Sequence, residues 1–422
     1  EALVLRAPQA YLERWLPAAG GLLQEPMFAG AAARAEQART YSPGSLRPET
    51  ARALYGAELH FSSSRVDVLA GCRFAHFLQY GLRAQEREPA EFDSRFYGTF
   101  VHDVLEHVVQ QTEREGGFAA VPRGRVQALA QERMEQNAQT LLETFPDSGR
   151  TGYLLRRTFD EVTQVVDELY DELSVSAFRP KFCELEFSAR GALPGVAFAG
   201  ERCRGVVEGF VDRVDVWQSG GRPYVRVVDY KTGKKSFDYT NVLHGRGLQM
   251  LLYLFALVRQ GGHLLHGEPL PAGVLYFPAR IERVSVRDRL AQAEIEKERR
   301  KQLRRSGVLL NSDPVLEAME PCGGSPRFLP YTLDKEGRKT GDLASFAQLA
   351  QLERFVFRTV AALGDELADG RIDPDPCIRD AKDSACAFCP YSEVCAGHEQ
   401  PRWLKKITAE EFWQTLERRE HG

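Results

Sequence analysis

Two apolar runs, each ending on an aspartate, constrain this chain more than any other feature. Val206-Val207-Glu208-Gly209-Phe210-Val211 leads into Asp212, and Tyr224-Val225-Arg226-Val227-Val228 leads into Asp229-Tyr230-Lys231, a hairpin's length further on. Valines and aromatics in this pattern favour strands. Side chains alternate faces along a strand, so Asp229 and Lys231 project from the same side. If the strands pair, Asp212 converges on the same spot. The sequence thereby expects two carboxylates and one ammonium at the end of a buried strand, a set that suits metal-assisted phosphodiester hydrolysis. By itself an Asp-x-Lys pair on an edge strand is a solvated ion pair worth little. Its meaning rests on its surroundings.

The 422 residues suffice for one large or two ordinary domains with a sizeable core. Strands are expected over 182–188, 206–217, 224–230 and 272–277, separated by Gly and Pro. A helix can start on the serine cap at Ser62-Ser63-Ser64-Arg65 and run through Cys72 to Tyr80, before Gly81. Further helices are expected over 96–111, where Val101, Val104, Leu105 and Val108 recur at helical spacing, and over 126–142, 154–173 and 248–258. After 277 the chain reads as mostly helical, and Thr408 with Glu411 forms a capping box for a last short helix. The fold class is α/β, a small mixed sheet wrapped by helices. Residues 1–50 read as the end of a preceding region with a linker at Ser42-Pro43-Gly44-Ser45, 51–400 as the main domain, and 401–422 as a C-terminal helix or tail.

A net charge of −4 does not announce a nucleic-acid binder, although a binding channel needs only local positive charge. Lys297-Glu298-Arg299-Arg300-Lys301-Gln302-Leu303-Arg304-Arg305 is such a local run, and it reads first as the solvated face of a helix. No apolar stretch approaches the roughly 20 residues of a membrane helix. No secretory signal is visible, the chain opens at Glu1 without an initiator Met, and it reads as a cytoplasmic piece of a longer polypeptide.

Cys386-x-x-Cys389-x5-Cys395 gathers three thiols within ten residues, with Cys72 as the candidate fourth and Cys377 as its competitor. This spacing points to a metal site. Alone it favours zinc over an iron–sulfur cluster. Cys183, Cys203, Cys322 and Cys377 read as small buried apolar residues.

Taken in order, these motifs resemble the RecB-type nuclease family of the PD-(D/E)xK superfamily, and within it the C-terminal nuclease domain of AddB-type helicase–nuclease subunits. The resemblance runs over about residues 52–400, through Leu54-Tyr55-Gly56, Cys72-Arg73-Phe74, Gly98-Thr99-Phe100-Val101-His102-Asp103, Gly209-x-x-Asp212-Arg213, Asp229-Tyr230-Lys231-Thr232-Gly233-Lys234, Gln249-x-x-x-Tyr253 and the cysteine triplet. Cys72-Arg73-Phe74 departs from the Cys-Pro-Phe common in that family.

The resemblance implies a restriction-endonuclease-like core and a 4Fe-4S cluster on Cys72, Cys386, Cys389 and Cys395, reversing the preference for zinc. It implies that His102, Asp212, Asp229 and the Tyr230 carbonyl hold Mg²⁺ or Mn²⁺, while Lys231 positions water and stabilises developing charge. Glu186 matches the upstream acidic motif, with Glu184 as its rival. Gln249 and Tyr253 are expected beside the active site, contacting DNA or the lysine. Glu106 lies one turn after His102 on the same helix face and is expected to orient it or to bind metal-bound water, and Arg213 and Asp215 are expected to support the site. The implied activity is cleavage of single-stranded DNA, on the 5′-terminated strand, in a heterodimer with the AddA helicase–nuclease during recombinational repair. The rival readings are a stand-alone iron–sulfur exonuclease of the CRISPR-adaptation or replication-processing kind, and a catalytically silent DNA-end-binding module.

Overall fold

The computed structural model describes Gly30 and residues 44–84, 94–144, 149–233, 236–281, 292–395 and 401–421. The sheet is built from β1 (Leu59–Ser62), β2 (Arg179–Phe187), β3 (Val196–Ala199), β4 (Arg204–Ser219), β5 (Arg222–Lys231), β6 (Leu270–Pro278) and β7 (Ser306–Leu310). A hairpin of β8 (Tyr331–Leu333) and β9 (Lys339–Gly341) stands apart, and β10 (Leu343–Ala344) closes the sheet edge. The order is β1-β4-β5-β6-β7-β10, with β2 and β3 also on β4.

β4 is long enough to serve two sets of partners. Its first residues lie between parallel β1 and antiparallel β3, and its later residues pair with antiparallel β2 and β5. β5 and β6 run parallel, which requires a crossover, and α-helical chain between them supplies it. Val225, Val227, Val228 and Tyr230 of β5 are all buried, as expected of a strand covered on both faces.

The principal helices are α1 (Pro48–Tyr55), α2 (Ser63–Gly71), α3 (Ser94–Arg114), α4 (Arg123–Thr144), α5 (Gly149–Leu173), α6 (Gln249–Gln260), α7 (Phe346–Ala368) and α8 (Ala409–His421). Val101, Val104, Leu105 and Val108 form the buried stripe of α3, as their spacing requires. In α6 the residues from Met250 to Leu257 are buried without a polar face, because the helix is sandwiched against β5, β6 and α7. Among the described residues no helix is long and apolar enough to cross a membrane.

Three expectations need correction. The helix expected to run through Cys72 is broken there, with Cys72 extended at φ −164° and ψ 121°, before a short turn Arg73–His76. The break has a cause: the Arg73 backbone N–H donates to Asp375 at 3.1 Å, and its buried guanidinium pairs with Asp375 and Glu366. The stretch after 277 is not all helix, since Ser306–Leu310 is a strand. Its central residues are fully buried, so no alternation announced it. Finally, α8 belongs to the main core, where Phe412, Trp413 and Leu416 are buried. Its capping box forms as expected, Thr408 N–H donating to Glu411 at 2.8 Å and Glu411 N–H to Thr408 Oγ1 at 3.2 Å.

Beneath the central strands lies a buried ionic network. Arg213 grips Asp215 with two bonds of 2.8 and 3.1 Å, and Arg226 donates to the same carboxylate at 2.7 Å. Glu172 of α5 then meets Arg226 at 3.2 Å and Arg305 at 2.7 Å. Burial would raise the Glu172 pKa, but Arg305, Arg226 and Arg213 outweigh it and pull it down to about 2. A depressed carboxylate pKa stabilises the fold above its ordinary range and loses that contribution as the pH falls through the depressed value. Glu172→Gln, which strands its arginines, should lower the free energy of unfolding by about 3–5 kcal/mol in urea titrations near neutral pH. The gap from the wild type should narrow only as the pH falls from 4.5 toward about 2. A gap that closes near neutrality would contradict the assignment.

Candidate active site

The site forms where β4 and β5 part. Their pairing ends at Arg213 opposite Val228, after which β5 continues along β6 to Lys231 while β4 turns to β1 and β3. A longer ladder would have occupied the Tyr230 N–H. Instead it donates to Asp212 Oδ2 at 2.6 Å, so the Asp212 side chain fills the opening. α3 delivers His102 to the same opening. Its Nε2–H donates to the Tyr230 carbonyl at 2.9 Å, and its Nδ1 lies 3.5 Å from Asp212 Oδ2. Asp229 is 5% exposed and ion-paired with Lys231, whose ammonium stands 5.6 Å from the centre of the Tyr276 ring.

Cys183 pairs with Arg213 and Leu185 with Val211, which leaves Glu184 across from Asp212. Ligand atoms of His102, Glu184 and Asp212 all lie within 4.8 Å of one another. Glu186, favoured from sequence, instead accepts a 2.7 Å hydrogen bond from Ser188 Oγ. Glu184 adopts φ +49°, a left-handed conformation that a glutamate occupies only when its surroundings hold it there. That kink and the strand register separate the two glutamates, and neither is legible in the sequence.

The carboxylates crowd one another. Burial, and then the charge of Asp229, push the Asp212 pKa up to about 6. Burial, followed by Asp212, Glu106 and Asp229, pushes Glu184 up to about 7. Glu106 is itself held by Gln110 Nε2 at 2.8 Å. Oxygen-rich donors with one imidazole, short of positive charge, fit a hard divalent cation.

Tyr253 stands behind this site. It is 1% exposed, its ring stacks on Phe187 at 4.8 Å, and its hydroxyl donates to the Glu208 carbonyl at 3.2 Å. A ring so covered has no access to DNA, contrary to one expectation. Its hydroxyl explains the glycine three residues before Asp212. Gly209 has φ +152°, and a Cβ there would come 2.2 Å from Tyr253 Oη, so only glycine lets β4 cross the tyrosine. Gln249 opens α6 and is half-buried. Arg213 and Asp215 support the site from the far face through the ionic network. The basic run divides: Arg300 and Lys301 are exposed, whereas Arg305 is buried on Glu172.

Cys72 and Cys389 line one cavity with Ser236 and Tyr276, the tyrosine that faces Lys231. Cys72, Phe74, Leu78 and Tyr391 form a small apolar cluster against which Cys389 and Cys395 pack. Cys386 lies within electrostatic reach of Cys389 and Cys395. Cys377, its competitor, is buried elsewhere, its thiol directed to the Ala70 carbonyl at 3.4 Å.

Residues 60–396 match the family model of the PD-(D/E)XK nuclease superfamily. Curated relatives include the AddB-type subunit of the ATP-dependent helicase/deoxyribonuclease of Moorella thermoacetica, 35% identical over 83% of this chain and 31% of the relative. The protein of the same name from Caldanaerobacter subterraneus is 31% identical over 82% of this chain and 30% of the relative. That from Thermoanaerobacter is 29% identical over 86% and 33% respectively. The chain thus spans about a third of the length of these relatives.

Proposed function

The chain belongs to the PD-(D/E)XK nuclease superfamily, and from that premise we propose that it is the nuclease part of a helicase–nuclease, hydrolysing single-stranded DNA. The observation that carries the proposal is the convergence of His102, Asp212, Asp229 and Lys231 where β4 leaves β5. His102, Asp212, Asp229 and the Tyr230 carbonyl would hold a Mg²⁺ or Mn²⁺ ion, with Glu184 within reach. When bound, that cation polarises the scissile phosphate and lowers the pKa of water.

The side chains then divide the remaining work. Lys231 orients the attacking water and neutralises charge that builds on the phosphate oxygens. The water oxygen bonds to phosphorus and releases its proton to solvent, the bond to the leaving oxygen breaks, and that oxygen takes up a proton from solvent. Asp229 holds Lys231 in place, and the Tyr230 N–H fixes the Asp212 carboxylate. Tyr253 and Gly209 set the path of β4, while Gln249 at the start of α6 is available to the bound strand.

Cys72, Cys386, Cys389 and Cys395 would hold a 4Fe-4S cluster. Cys72, Cys389 and Cys395 share an apolar patch and Cys386 lies within electrostatic reach of the last two, and a donor set made of thiols alone fits such a cluster. Its role is to tie Cys72, more than 300 residues upstream, to the end of the domain. The names of the relatives join helicase to deoxyribonuclease and so support a motor-coupled nuclease. The proposal extends to an AddA-type partner, to recombinational repair, and to the 5′-terminated strand as the one cut.

Asp229→Ala and Lys231→Ala should each lower the rate of Mg²⁺-dependent cleavage of single-stranded DNA by about 10²-fold or more, with thermal melting close to that of the wild type. Retained cleavage would remove the assignment. Metal analysis of anaerobically purified protein should find about four iron atoms per chain; stoichiometric zinc with no iron would remove the cluster.

A further inference from the structure

Beside Lys231 lies a cavity of about 330 Å³ that borrows none of His102, Glu184, Asp212 or Asp229. Besides Lys231, Arg280 and Arg304 give its walls their charge, and no carboxylate among the described residues lines it. Its other polar groups are chiefly neutral hydrogen-bonding side chains, including Ser306 and Gln302. In a chain of net charge −4, a concavity charged with one positive sign is a selective feature.

The donors are held in place. Arg304 Nε donates to the Leu329 carbonyl at 3.1 Å, and its Nη2 bonds the Tyr331 carbonyl, which fixes the guanidinium plane. Ser306 Oγ accepts from the Phe237 N–H at 3.1 Å, so its own hydroxyl proton is left to donate. Arg280 stands exposed at the rim, its guanidinium 5.1 Å from the centre of the Tyr97 ring. Gln302 Oε1 is buried without a partner, and turning its carboxamide over would present the amide hydrogens instead. The neighbouring Arg305 takes no part, being spent on Glu172.

We propose that this cavity is a second phosphate subsite, which takes the phosphodiester next to the scissile one and so anchors the single strand beside Lys231. The inference rests on the nuclease reading. The reaction centre itself is acidic, with Asp212, Asp229 and Glu184 together, and repels a polyanion. A neighbouring site made of donors offsets that repulsion and sets which phosphate reaches Lys231. Lysine and arginine donors favour an anion over a cation, and a phosphate is the anion that a DNA strand offers at every step. Arg280 and Arg304 are thus positioning residues.

The test uses the full-length protein in its holoenzyme and oligonucleotides in which one phosphate at a time is a neutral methylphosphonate, with affinity read from single-turnover cleavage. In the wild type, one position flanking the cut should weaken binding about tenfold. Arg280→Ala should weaken unmodified DNA by a similar factor, make that one position insensitive to the modification, and leave the others unaffected. The slope of log affinity against log salt should fall by about 0.7. Arg280→Lys should recover part of each effect, and Arg280 is exposed, so its removal does not test folding. If Arg280→Ala keeps the full methylphosphonate profile of the wild type, the subsite is wrong while the nuclease reading stands. If the wild type does not cleave single-stranded DNA at all, the nuclease reading fails.

Discussion

The parting of β4 from β5 is the constraint on which the rest of this structure depends, and buried charge holds it. Up to Arg213 and Val228 the strands form an ordinary antiparallel ladder. On the face beneath, Asp215 takes both Arg213 and Arg226, and Glu172 links Arg226 to Arg305. Removing charges from water is costly, and here each carboxylate meets two guanidinium groups in return. The network clamps the strands to α5 at the last point where they pair. One residue further on, alternation turns Asp212 and Asp229 to the opposite face. Alternation along two strands therefore gives one face to structural charge and the other to chemistry.

That second face is unstable in isolation. Asp212, Asp229 and Glu184 repel one another, and among the described residues Lys231 and His102 offset them within the cluster. Burial first, and then that repulsion, raise the pKa values of Asp212 and Glu184. In the proposed reading a divalent cation resolves it, and DNA is met by the arginines beside Lys231 rather than by the whole protein. Net charge is a poor guide to such a chain because the acidic centre and the basic cavity lie side by side and nearly cancel.

Much of this arrangement was legible in the sequence. Asp212, Asp229 and Lys231 announce themselves because β-branched runs make strands and strands alternate. The stripe of α3 is equally plain, although nothing in that stripe marks His102; only the surrounding motif does. Glu184 and Glu186 were indistinguishable because residues two apart on a strand share a face, and the left-handed kink at Glu184 that separates them follows no local propensity. Arg305 sat inside a run of basic residues, and its burial depends on Glu172, 133 residues earlier. The break of α2 at Cys72 likewise depends on Asp375 and Glu366. Contacts this distant in sequence leave no periodic trace, and these are the elements that sequence reasoning missed.

The central claim is that the opening between β4 and β5 is a cation site, and anomalous diffraction from crystals grown with Mn²⁺ tests it most directly. The account predicts a manganese peak bounded by His102, Asp212, Asp229 and the Tyr230 carbonyl, where those donors already converge. An empty opening, or manganese held only elsewhere in protein that still cleaves DNA with Mn²⁺, would contradict it.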